Sequence, residues 1–279
     1  MAKKDTAPAP AAKKAAAKAT GKEVAVKPKQ EVGAASELDA LLTQNAGVGF
    51  ESVDAQDLAI PFLSIVQSNS PQRKKNHEKF IEGADEGDIF NTVTGVLFAP
   101  PVAIIPCGYK KVFIEWKPRD SGGGFVAQYD RHHPIIAATP PDERGKRILP
   151  NGNLLVETAT FYVLVEVEEG EWEGAVISMT STQLKKARKW NTLMVNKKVT
   201  VNGVQLQAPM FAYSYMFSSA SESNDRGEWH GWTIEAGPQI TSRETFLQAK
   251  SFHDAVGGGT VTADFSKVQE EEDLEETAY

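Results

Sequence analysis

Between Glu173 and Glu222 the chain has no Asp or Glu, and the same interval holds Lys185, Lys186, Arg188, Lys189, Lys197 and Lys198. The chain as a whole carries a net charge of -7. A block of six cations in such a chain predicts a positive surface able to track a phosphate backbone. Trp190 lies inside the block. Tyr213, Tyr215 and Phe217 alternate at a spacing of two, which puts them on one face of a strand. Cations beside strand-borne aromatics are the two ingredients of single-strand binding: charge for the backbone and π-faces for the bases. The same features have a plainer reading. An aromatic triplet at period two also describes a core face, and Trp190 also suits the apolar stripe of a helix anchored on a sheet. A second mixed set is Lys110 and Lys111, with Lys117 and Arg119, around Phe113 and Trp116. A third basic group, Arg73, Lys74, Lys75 and Lys79, sits in a polar stretch.

Charge is laid out unevenly along the chain. Residues 1–36 hold eight Lys against Asp5, Glu23 and Glu31, a balance of +5, and residues 264–279 sum to -6. The remaining middle is also -6. Residues 1–36 are Ala, Lys and Pro with few large apolar side chains, and are expected to be disordered, as a solubilising tail or a basic arm. The other end, Glu270, Glu271, Glu272, Asp273, Glu275 and Glu276 closing on Tyr279, buries too little apolar surface to fold. With the break at Gly257 to Gly259 it reads as a flexible acidic tail over 257–279. Such a tail either solvates the protein or docks a partner by imitating nucleic acid.

No motif identifies an enzyme. Gly122 to Gly124 has no Lys-Ser or Lys-Thr after it, so it is not a P-loop. His132 and His133 are adjacent and lack a Cys or carboxylate cluster for a metal. Asp85, Glu86 and Asp88 lack EF-hand spacing. Cys107, the one cysteine, has no local nucleophile signature and forbids an intramolecular disulfide. The expectation is a cytoplasmic, non-enzymatic protein with no cofactor, no metal and no membrane span.

The fold class expected is mainly β (α+β): an antiparallel sheet or OB-like barrel with long loops, two or three helices and disordered tails. The β-rich core is placed at 37–256. A short helix capped by Ser36 opens it. Strands are expected at 96–98, 102–106, 110–116, 125–129, 154–168, 172–179, 210–217 and 229–235, where Val, Ile, Thr and aromatic runs are bounded by Gly, Pro and Asn. Leu184, Ala187, Trp190 and Met194 share one side of a helix over 180–195, and a second helix spans 242–256.

Three segments (Phe80 to Ile89, Phe113 to Trp116, and Ser181 to Asn191), together with the acidic tail, resemble a phage-encoded replication-type single-stranded DNA-binding protein. That resemblance implies an OB-like core, stoichiometric coating of single strands in phage replication and recombination, and a host-cytoplasmic location. It also implies a tail that recruits a polymerase, helicase or recombination nuclease, and it allows a homo-oligomer. Two features depart from the pattern. The core is longer than a simple OB domain, and the tail ends on Tyr279 rather than Phe. The alternatives are a strand-annealing recombination mediator and a β-rich virion or scaffold-type structural protein without nucleic-acid binding.

Overall fold

The computed structural model describes residues 32–46, 48, 49, 51, 60–225 and 227–267. Most of the Lys-rich N-terminal stretch and the acidic residues 270–279 lie outside them. The chain divides into two units, residues 1–52 and 53–279.

The first unit contains α1 (Val32–Gln44). The expected cap at Ser36 is wrong: the helix begins four residues earlier, so Ser36 is an interior residue. Leu38, Leu41 and Leu42 are exposed along it.

The second unit is built from β1 (Leu63–Ile65), β2 (Ile89–Asn91), β3 (Leu97–Phe98), β4 (Val102–Trp116), β5 (Phe125–Asp130), α2 (Pro134–Ala138), β6 (Leu154–Glu168), β7 (Glu171–Met179), α3 (Leu184–Val195), β8 (Lys198–Val201), β9 (Val204–Gln207), β10 (Tyr213–Asn224), β11 (Gly227–Gln239) and α4 (Arg243–Gly257). The fold is mainly β with antiparallel sheets. Among the described residues no helix is long and apolar enough to cross a membrane.

The two strands expected at 102–106 and 110–116 are one. β4 runs unbroken for 15 residues, and the register with β6 shifts between Pro106 and Gly108, so a bulge at Cys107 absorbs the proline and glycine. The main sheet has the order β11-β10-β4-β6-β7, with β5 on the far end of β4. The sub-order β10-β4-β6-β7 is a Greek key, in which the fourth strand returns to lie beside the first. The edge strands β7 and β11 both meet the β1 segment. Phe62 bridges Val176, and the Val176 N–H donates to Pro61 O at 2.8 Å. On the other side the Gln67 amide imitates a strand: Nε2 donates to His230 O at 2.9 Å and Oε1 accepts from His230 N at 2.8 Å. The result is a five-stranded, partly open Greek-key barrel of the OB-like kind, with β1 lying in its gap.

Side-chain alternation along β6 separates two layers. Phe161, Val163 and Val165 face an interior shared with β4, β7, β10, β11 and α3, whereas Tyr162 and Leu164 face outward into clusters that include α4 residues. α4 starts with a capped turn, the Ser242 hydroxyl accepting from Thr245 N at 3.2 Å. It is fastened by Gln248 Nε2 to Trp172 O at 2.7 Å and by a 2.6 Å contact between His253 Nδ1 and Cys107 O. The core also continues past the boundary expected at residue 256. Val261 and Phe265 are buried with Val256 against Tyr162 and Val176, and Ala263 N donates to the Tyr162 hydroxyl at 3.1 Å. Apolar side chains just beyond the glycine run hold it to the barrel, so the freely moving tail expected from 257 does not begin there.

Candidate nucleic-acid interface

The cation block maps onto α3, the β8–β9 hairpin and the start of β10. α3 carries no acid. Its inner face, Ala187, Trp190 and Met194, is buried in the barrel interior, while Lys185, Arg188 and Lys189 are exposed on the outside. Spacings of three and four place those three on one stripe. Among the described residues, Lys185, Arg188, Lys189 and Lys198 form no ion pair. Lys197 lies over the Tyr213 ring, with Nζ 4.5 Å from its centre, and the Tyr213 hydroxyl donates to Lys198 O at 2.8 Å. Lys186 is different. It is bonded to the Glu222 carboxylate, which also accepts from Trp229 Nε1 at 3.2 Å. Among the described residues, five of the six expected cations therefore have no carboxylate partner, and one is already neutralised.

The aromatics expected to stack on bases are mostly elsewhere. Trp190 is 0% exposed and Tyr215 is also fully buried. The Trp190 ring lies 4.3 Å from Phe161, 5.8 Å from Tyr215 and 4.8 Å from Phe217, centre to centre. Trp190 plugs the barrel, and burial pushes the Tyr215 hydroxyl up to about 12. Phe113 and Trp116 are buried as well, Phe113 beneath Leu149 and Ile135 of the 117–153 insertion and Trp116 edge-on to Phe125 at 5.9 Å. None of the four presents a face to a base. A spacing of two identifies a shared face without saying which side of the sheet it lies on.

The second mixed set is weaker than its sequence suggests. Lys111 pairs with Glu157 at 2.6 Å, and Lys110 packs over the Tyr162 ring at 5.4 Å. The Arg73 guanidinium lies 3.4 Å from Glu86 and also donates to Ser68 O at 2.9 Å. His133 serves as a helix cap, its Nδ1 accepting from Ile135 N, and leans on Tyr129. Among the described residues no group of three His, Cys, Asp or Glu side chains is arranged to hold a metal.

Two features escaped the sequence reading. One is Tyr109, which is exposed on β4 directly beside Lys110 and Lys111. The other is the β8–β9 hairpin, turned by Asn202 and Gly203, both at positive φ. Its cross-strand pairs Val199–Leu206 and Val201–Val204 line one apolar face, and Val201, Val204 and Leu206 are exposed.

In an OB barrel, oligonucleotides lie on the outer face of the second and third strands, between the loop joining strands 1 and 2 and the loop joining strands 4 and 5. The corresponding strands here are β6 and β7, and their outer face is closed by α4 and residues 261–265. The open cationic surface is at α3 instead.

A family model described as "Pam3 phage gp34-like protein" matches residues 30–262. Neither a curated protein nor a solved structure matches the chain. The chain belongs to the Pam3 phage gp34-like family and is a phage protein.

Proposed function

We propose that this phage protein binds single-stranded DNA stoichiometrically, in replication or recombination, through the surface formed by α3 and the β8–β9 hairpin. The observation that carries the reading is the acid-free stripe Lys185, Arg188 and Lys189, joined by Lys198, in a chain whose net charge is -7. A Greek-key barrel is the setting in which such surfaces are often met, but the fold alone does not give the function. The phosphates would be held electrostatically, so affinity falls with salt and is tolerant of sequence. The acidic residues 270–279 fit a partner-recruiting role by their charge, and deleting them is expected to leave DNA affinity unchanged or raised while partner binding falls.

The test is fluorescence anisotropy of a labelled oligonucleotide at several salt concentrations. Four phosphate contacts give a slope of about -3 in log K against log salt for a single strand, and replacing Lys185, Arg188 and Lys189 by Gln flattens it by about 2. Absence of binding at low salt overturns the proposal. The apolar face of the hairpin favours the second reading, a virion or scaffold-type structural protein. That reading predicts self-association or partner capture with no oligonucleotide binding.

A further inference from the structure

We infer that Tyr109 is a stacking subsite for an unpaired nucleobase, an inference that rests on the single-strand reading above. Among the described residues Tyr109 is the one exposed Phe, Tyr or Trp, at 39%. It is unusual in its place as well as its exposure. The ten residues before and after it on β4, from Ile104 to Ile114, are otherwise buried or half-buried. The bulge at Cys107 precedes it, and β4 then pairs Tyr109 with Phe161 of β6.

The ring is backed from within the protein. Its centre lies 4.9 Å from that of Phe161, at 46°, and Phe161 lies 4.3 Å from Trp190 of α3. Two ring contacts therefore link the exposed tyrosine to the helix that carries the unpaired cations. This row of aromatics restrains the Tyr109 side chain before any ligand arrives, which lowers the entropy lost on binding. Lys111 lies two residues along the same side of β4 and is paired with Glu157 of β6, so that carboxylate is neutralised.

The division of labour follows. The cations of α3 recognise phosphates and would accept any polyanion. An aromatic face recognises the base itself, whatever its identity, and separates an unpaired strand from a duplex whose bases are already stacked. With the outer face of β6 and β7 closed and the other described aromatics buried or half-buried, Tyr109 is the most exposed ring for that role.

The experiment compares oligo-dT with an abasic strand of the same length, using the full chain and its Tyr109→Ala and Tyr109→Phe variants. Loss of one stacked base lowers affinity about 5- to 100-fold. The expected result is that Tyr109→Ala loses that factor on oligo-dT, leaves the abasic strand and the salt slope unchanged, and is rescued by Tyr109→Phe. If the unsubstituted protein does not bind oligo-dT at low salt, both readings fall. If it binds, and Tyr109→Ala stays within about twofold of it, the stacking subsite is refuted while the DNA reading stands. If Tyr109→Ala fails to fold by thermal melting, the unsubstituted protein decides: equal affinity for the two strands refutes the subsite.

Discussion

Replacing Trp190 by Ala separates a barrel plug from a base platform. Trp190 is wholly buried, and its indole touches Phe161, Tyr215 and Phe217. An indole of this kind hides about 200 Å². At about 25 cal/mol per Å² that burial is worth about 5 kcal/mol, of which the alanine methyl retains a part. The lost ring contacts and the cavity add to the remainder, so the expected cost is about 4 kcal/mol, inside the usual range for such truncations. For a unit of this size, 1 kcal/mol shifts the melting temperature by about 2–4 °C, so the midpoint should fall by about 10–15 °C. Calorimetry or circular dichroism measures it. Oligonucleotide affinity is measured alongside, well below the variant's midpoint, and should stay within about threefold of the unsubstituted protein, because no stacked base has been lost. A variant that melts within 1–2 °C of the parent but loses DNA affinity about 5- to 100-fold would refute the assignment of Trp190 to the core.

Further expectations follow from individual contacts. Among the described residues the buried Tyr215 hydroxyl has no hydrogen-bond partner, so Tyr215→Phe should be neutral or stabilising by up to about 1 kcal/mol in urea titrations. A Cβ on Gly108 would lie 2.8 Å from Val256 Cγ1, so Gly108→Ala should destabilise by about 1–3 kcal/mol and loosen the end of α4, read as faster amide exchange at residues 252–256. The Cys107 thiol is fully buried and burial pushes it up to about 12, so a thiol reagent should label it only as fast as the protein opens. Burial alone would raise the Glu115 carboxyl. Hydrogen bonds from Tyr129 Oη at 2.6 Å, Asn153 Nδ2 at 2.5 Å and Asn151 Nδ2 at 3.2 Å outweigh it and hold the group below its ordinary value. Its stabilising contribution is therefore complete above the unfolded value near 4.5 and is lost as pH falls through the lower folded value. Glu115→Gln should remove that part of the acid dependence in a series of melts from pH 7 to about pH 3.

Much of the fold was legible because burial leaves a periodic mark. The run from Leu154 to Glu168 reads as one strand because it is apolar or β-branched nearly throughout, and that is β6 to the residue. α3 and α4 follow from apolar spacing of three and four. Pro106 and Gly108 look like breaks in the sequence of β4, whereas a bulge lets one long strand carry both. The β8–β9 hairpin had a usable signal, Asn202-Gly203 between alternating Val and Leu, that the neighbouring lysines overshadowed. The site was legible in its charge and not in its aromatics. An acid-free interval survives folding as a cationic surface, but Lys186–Glu222 and Lys111–Glu157 are made between different elements, and no local pattern foretells them. Tyr109, in an unremarkable Cys-Gly-Tyr-Lys stretch, becomes conspicuous only through its exposure.

The closed face of β6 and β7 bears on where a strand can run. To lie there as in other OB barrels, an oligonucleotide would have to lift the end of α4 and the segment after it. That would expose at least Val256, Val261 and Phe265, all buried against Tyr162 and Val176. Each such side chain is worth about 1.5–3 kcal/mol, so these three alone cost about 5–9 kcal/mol. A micromolar complex releases about 8 kcal/mol in total. Displacement would leave little or no net affinity, and the new surface would be apolar where phosphates need cations. Binding at α3 opens no core and meets cations that have no ion-pair partner among the described residues. The same topology that places α3 beneath the barrel, between the third and fourth strands of the key, thus moves the candidate interface away from the face on which this barrel usually works.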